Sequence, residues 1–450
     1  MEPPTAGAVG RGGVNVVRST ELGVCMNTGR SRVVGSGLLL LLLLALLVAA
    51  APAFAASGYG PGPRARGAVP ISTSPAKYAV FAANDLGMHC FQRSYAGFMI
   101  LPPANNMKVQ VFRRGSEGAG LVTSGIRVEY SVNGNTYSAG KTDFWTYAAS
   151  YGFPGLKPSV GITGNKLTGT MKYSAADKWW IATAIPVTPY NDQHVFNPLQ
   201  TVKITVRSTT TDKVLATQPR VVIPVSDEMR CDYCHGPAHT AENILQAHDA
   251  RSGTHLYADL LAGLRHACNE CHKDNALSAP GVAGVPPLSQ AIHGFHADRM
   301  TMTSVSPSCY ACHPGAQTKC LRGSMAAAGF TCTDAKCHGG MSRVADSQGP
   351  PTDREAWLQE PTCGGCHGAK YAENPGRLYR NSYLANGPEG MNGKKIMCES
   401  CHNSPHAEWA STMAVDNAEP LNLQGLATFI KTCSVCHGGE RGKIHGGSGG

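Results

Sequence analysis

The sequence predicts an α+β chain: an all-β antiparallel sandwich followed by a longer half of coil and short helices. Three observations predict it. Apolar and polar residues alternate in short runs between residues 75 and 227, with turn residues between the runs. That alternation stops after Val225. Cys, His and Gly then dominate, and only short helical pieces remain.

The elements follow in chain order. Leu38–Ala50 is a pure run of Leu, Ala and Val. It is shorter than the ~20 residues a membrane-spanning helix needs. Arg30 and Arg32 precede it and Ala53-Phe54-Ala55 follows, so residues 1–55 read as a signal peptide, with Met26 as an alternative start. The exported chain then begins near Ala56, with no transmembrane helix after cleavage. Residues 56–74 form a Pro/Gly linker around Gly58–Gly67. Met107–Val111, Ile126–Tyr130, Leu167–Tyr173 and Val202–Arg207 alternate as strands, and Asn133-Gly134 signals a hairpin. About seven such strands over residues 75–227 make a sandwich, with Trp179 and Trp180 as core and rim. In residues 228–450 helices are expected over Ala241–Ala250 and Leu288–Met300.

Composition limits the function. The 450 residues are 42% hydrophobic, 7% aromatic and 15% charged, with Gly 52 and Pro 29. Aromatic content this low does not fill one large conventional core. The net charge is +9, and no basic stripe with interleaved aromatics appears, so nucleic-acid binding has no support. Seventeen Cys and 17 His are the anomaly.

Fourteen of the Cys fall in one recurring motif. C-x-x-C-H occurs at Cys231-Cys234-His235, Cys268-Cys271-His272 and Cys309-Cys312-His313. It returns at Cys363-Cys366-His367, Cys398-Cys401-His402 and Cys433-Cys436-His437. A seventh copy, Cys332 to Cys337-His338, has four residues between the cysteines. Random placement at these frequencies yields roughly 0.02 copies of C-x-x-C-H, so six are not accidental. Zinc ribbons need four ligands per ion and no His after each second Cys. Disulfides leave the His unexplained, and thioredoxin-like chemistry uses a single motif.

Covalent haem explains every position. Two thiols add across the vinyl groups of one haem, and the adjoining His is held under the iron. The expected cofactors are seven haems c, six on C-x-x-C-H sites and one on the C-x4-C-H site. Packed at about one per 30 residues, the macrocycles become the core of residues 228–450. Distal ligands are expected among His239, His248, His255, His266, His293, His296, His406 and His445. His89, in Asn84–Cys90 of the β half, is a further candidate, and His194 a weaker one. Met300, Met302, Met325 and Met341 are the sulfur alternatives. Cys25 leaves with the signal peptide, so Cys90 and Cys320 remain as a candidate disulfide joining the halves.

Four stretches carry a resemblance: Cys320-Leu-Arg-Gly, Trp357-Leu-Gln-Glu-Pro, Cys398 through His406, and Asn243 through Asp249. With the motif array, the chain resembles the large multihaem c-type cytochromes of metal-reducing bacteria. The resemblance implies electron transfer in the periplasm or at the outer surface of a Gram-negative bacterium. It implies other redox proteins or sister subunits as partners, in an outer-membrane complex or a filament. The alternative is an oxidoreductase with one five-coordinate haem. Residues 297–401 hold no His outside the motifs, so His313, His338 and His367 must draw ligands from afar. The expanded site at His338 is the first suspect for an open position. The β half would act as an adaptor or as a folding cap.

Overall fold

The computed structural model describes residues 77–85, 87–115, 120–300, 308–315, 317–346, 363, 367 and 396–436. Cys366, His437 and His445 lie outside the described residues, as do the side chain of Cys433, the signal peptide and the linker.

The architecture mixes antiparallel sheets with short helices. In chain order the strands are β1 (Tyr78–Ala83), β2 (His89–Gln92), β3 (Phe98–Met99), β4 (Asn105–Arg113), β5 (Gly120–Leu121), β6 (Ile126–Val132) and β7 (Thr168–Thr170). They continue as β8 (Lys172–Ser174), β9 (Trp179–Ile185), β10 (Thr201–Ser208), β11 (Val214–Val222), β12 (Val225–Met229) and β13 (His266–Ala267). One sheet runs β1-β4-β9-β8, with β5 on β4; the other runs β11-β10-β6-β7. Val109 and Val111 from the first sheet share one core with Val128, Tyr130, Val202 and Ile204 from the second.

Strand β6 alternates as expected, burying Ile126, Val128, Tyr130 and Val132. Three expectations are corrected. Leu167–Tyr173 is not one strand. The chain changes sheets at Met171, because Leu167 and Met171 both turn into the core. Asn133-Gly134 forms a turn, with Gly134 at φ 66°, but no hairpin follows. β6 pairs instead with β10 and β7. The turn is held by Asn133 Nδ2, which donates to Thr201 Oγ1 at 2.9 Å and to the Pro219 carbonyl at 3.1 Å. Trp179 and Trp180 are both buried rather than core and rim.

β4 departs from alternation for a reason that matters below. Lys108 and Gln110, on the face opposite the core, are buried as well. The cysteine-rich half covers that face: Gln110 Oε1 accepts from the Met397 amide at 2.9 Å and from Ser400 Oγ at 3.0 Å. Other ties are similar. The Ala82 amide donates to Glu419 at 3.0 Å, and Glu228 on β12 accepts from the Gln317 and Thr318 amides at 2.7 and 2.9 Å. β12 pairs in parallel with β2 at the end of the β half, and β13 with β3, so the second short ladder bridges the halves. The described residues fall in one compact unit.

After Met229 the main helices are α1 (Thr240–Ser252) and α2 (Leu288–His296). Few large apolar side chains are buried there; Leu245, Leu288, Met397 and Trp409 are among them. Among the described residues no helix is long and apolar enough to cross a membrane.

Candidate functional site

Each described motif closes in the same way. The amide of the motif His donates to the carbonyl of the first Cys. The distances are 3.0 Å for His235 to Cys231, 3.0 Å for His272 to Cys268, 2.8 Å for His313 to Cys309 and 2.9 Å for His402 to Cys398. That is one helical turn, which carries two thiols and an imidazole at its end. The expanded copy keeps the bond, His338 to Cys332 at 3.3 Å. Its two extra residues are taken up by a tighter inner turn, Cys337 N to Asp334 O at 2.9 Å.

These turns line a connected cavity of about 2610 Å³. Its wall includes the described thiols and imidazoles of all the motifs. Neighbouring motifs touch through their first cysteines: Cys309 and Cys332 hydrogen-bond each other, and so do Cys363 and Cys398.

Four motif imidazoles face a second imidazole across the cavity. His235 faces His296 with ring centroids 6.4 Å apart, and His272 faces His248 at 6.4 Å. His313 faces His293 at 6.1 Å, and His338 faces His406 at 6.1 Å. Two imidazoles on opposite sides of one metal, with bonds of about 2.0 Å and ring centres about 1.1 Å behind each nitrogen, stand about 6.2 Å apart. Among the described residues no three His, Cys, Asp or Glu converge as a metal held by protein alone requires. Each pair offers two donor nitrogens, and a planar four-nitrogen macrocycle such as a porphyrin would have to supply the other four of a six-coordinate metal.

The hydrogen bonds orient these rings. His293 Nδ1 meets the Ser289 carbonyl at 2.7 Å, His296 Nδ1 the Ile292 carbonyl at 2.8 Å, and His272 Nδ1 the Pro286 carbonyl at 2.7 Å. A carbonyl only accepts, so Nδ1 carries the proton, the tautomer in which Nε2 bears the lone pair. Three of the rings are pushed towards the neutral form. Burial first, then the neighbouring His293, His338 and His406, push His313 down to about 4. Burial and the facing His296 lower His235, and burial and His272 lower His248.

The other candidates are held differently, His89 and His266 also on the cavity wall. His239 and His255 are exposed, His239 lying 3.6 Å from Glu242. His266 lines the cavity, but both its ring nitrogens meet carboxylates, Glu270 at 2.9 Å and Asp259 at 3.0 Å. The i, i+4 spacing of His266 and Glu270 carries that signal in the sequence. His89 Nε2 meets Asp85 at 2.6 Å. His194 is exposed and bonded to Tyr137. Cys90 and Cys320, expected as a disulfide, are free thiols. They lie close enough for burial and Cys320 to push Cys90 up to about 12. Burial raises Cys320 too, but His406, which hydrogen-bonds its thiol, and Arg322 outweigh it and lower it.

The environment of His402 differs from that of the four paired rings. Its ring stacks on Phe429 at 5.5 Å, and burial and nearby His367 lower its pKa. Met300, Met325 and Met341 line the cavity. Glu399, inside the sixth motif, also lines it. Neither carboxylate oxygen has a hydrogen-bond partner, and burial pushes the group up to about 8 against the opposing Lys108. Glu-Ser between two cysteines gives no sign in the sequence of such burial.

A scan against protein-family models, a search of curated proteins and a search of solved structures find no match to this chain.

Proposed function

We propose that the chain is an exported heptahaem c-type cytochrome that conducts electrons through closely spaced haems. Its acceptors would be periplasmic or extracellular, and its partners redox proteins, sister subunits in a filament, or an outer-membrane complex. One observation carries the reading: four motif imidazoles each face a second imidazole at metal-bridging distance across a cavity walled by the motif thiols.

Covalent haem supplies one-electron chemistry at low potential when two imidazoles hold the iron. The residues of this chain bind it, orient it and exclude water. The motif cysteines would form the thioethers. His235, His272, His313 and His338 would be proximal ligands, and His296, His248, His293 and His406 their opposites. Carbonyls on Nδ1 hold the ring planes, which tunes ligand basicity. Contact of Cys309 with Cys332, and of Cys363 with Cys398, would keep neighbouring haems close.

A second reading has its own observation. Among the described residues, the rings beside His402 are Phe429 and, more distantly, His367, so an open iron position would belong to that part of the cavity. His338, the first suspect by motif, has His406 opposite. An oxidoreductase with one five-coordinate haem would therefore react near His367 or His402.

Intact mass and the pyridine haemochrome count the haems, and ferric EPR with CO added to the ferrous protein reads their sixth positions. Seven low-spin haems without CO binding support the conductor. A CO-binding haem retained in His338→Ala supports the enzyme near His402. A chain without covalent haem overturns both.

A further inference from the structure

Arg322, in the Cys320-Leu-Arg-Gly stretch, is the largest fully buried side chain in the described structure. A buried guanidinium is costly unless every donor is matched. Here it is matched. Nε and Nη2 fork onto Asp416 at 2.7 and 2.9 Å, with both side chains fully buried. Nη1 reaches the Gly87 carbonyl at 2.7 Å and the Cys320 carbonyl at 3.2 Å.

The same residue grips His406. The amides of Arg322 and Gly323 both donate to the His406 carbonyl at 2.7 Å. The Arg322 carbonyl accepts from the Thr412 amide at 2.8 Å and Ser411 Oγ at 3.0 Å. His406 itself has φ 68°, a left-handed conformation uncommon for a residue with a side chain. Such a conformation persists when its surroundings over-determine it. Its amide donates to Glu408 at 2.7 Å, and Ser404 Oγ donates to the Asn84 carbonyl at 2.8 Å. The Asn84–Cys90 loop presses against the same segment. A Cβ on Gly87 would meet the Pro405 carbonyl oxygen at 1.9 Å.

We propose that Arg322 is the positioning residue that presents His406 to the iron opposite His338, by locking the His406 backbone between the Asn84–Cys90 loop and Asp416. The proposal rests on the haem reading above. It gives the Asn84–Cys90 loop a role: it accepts from Arg322 and buttresses a ligand from another segment. Loss of the guanidinium fork releases the strained turn, and His406 withdraws from the metal.

The test uses the holoprotein. Arg322→Lys keeps the charge and loses the fork; Asp416→Asn keeps the shape and loses the counter-charge. His406→Ala is the reference. Haem count, ferric EPR and CO binding are read for each, with and without added imidazole. The expected result is an unchanged haem count and a gain of one CO-binding haem per chain, as in His406→Ala. Imidazole should return that haem to low spin in all three variants. Arg322→Lys and Asp416→Asn without a new CO-binding haem, while His406→Ala gains one, overturn the proposal. So does the loss of several haems in both, which would assign Arg322 to folding. Wild-type protein without covalent haem would instead sink the haem reading itself, which separates the two failures.

Discussion

At the scale of single residues, burial decides which charges the site keeps. Glu399 lies against the cavity with neither oxygen partnered, and its carboxyl is raised to about 8. The folded chain therefore binds a proton that the unfolded chain releases near pH 4.5, so ionisation costs stability as pH rises from about 4.5 to 8. Glu399→Gln removes that cost. The variant should match wild type near pH 4 and gain on it steadily to pH 8, measured by thermal unfolding across that range. A constant difference across the range would refute the assignment. Asp85 behaves in the opposite sense. Burial raises it, but His89 at 2.6 Å, Lys108 and Asn106 outweigh burial and hold it far below the usual carboxylate range. Its depressed pKa stabilises the fold above the unfolded value and is lost in acid. Asp85→Asn should cost about 2 kcal/mol at neutral pH, with the deficit closing below about pH 4.

At the scale of elements, β4 and the Asn84–Cys90 loop join the two halves. Gln110 leaves an outward face of β4 to accept from Met397 and Ser400, beside the sixth motif. Gln110→Leu strands both donors in a buried place. Denaturant unfolding should show a loss of about 2–4 kcal/mol, and a loss below 0.5 kcal/mol would mean that these bonds form equally well elsewhere. Gly87 combines φ 75° with the close approach of Pro405. Gly87→Ala pays twice, in backbone strain and in displacement of the Pro405–His406 turn. It should lower the unfolding temperature and weaken CO exclusion at the same haem as His406→Ala. The motif turns are elements too. His338 reaches the same hydrogen bond as its shorter relatives, so the C-x4-C-H site presents its imidazole as they do.

At the scale of the whole molecule, the two halves are stabilised differently. The sheets share a core running from Val80 to Val225, which Ala267 joins from the other half. Beyond Met229 buried apolar side chains are few and the thiol-lined cavity runs through. Chain produced without haem attachment should keep strand circular dichroism, while protease cuts concentrate after Met229. Cuts spread evenly through residues 77–229 would show that the sandwich, too, depends on the cofactor.

Much of this was legible in the sequence, because its causes are local. Alternation in β6 and β10 follows from a two-residue period against one core, and the C-x-x-C-H copies carry their turn and thiols within five residues. The i, i+3 pair His293 and His296 was legible as one helix face. What was not legible depends on distant contacts. Which imidazole faces which motif, His406 with His338 and His293 with His313, is settled by chain crossings no spacing encodes. So are the burial of Lys108 and Gln110, the failure of Asn133-Gly134 to close a hairpin, and the carboxylates that claim both nitrogens of His266. By itself the sequence determined the motif turns with their thiols and the sheet-forming half. Only the tertiary structure decided which imidazoles face each other and the locked turn at His406, because the facing rings come from separate segments and the turn rests on Gly87, hundreds of residues before it.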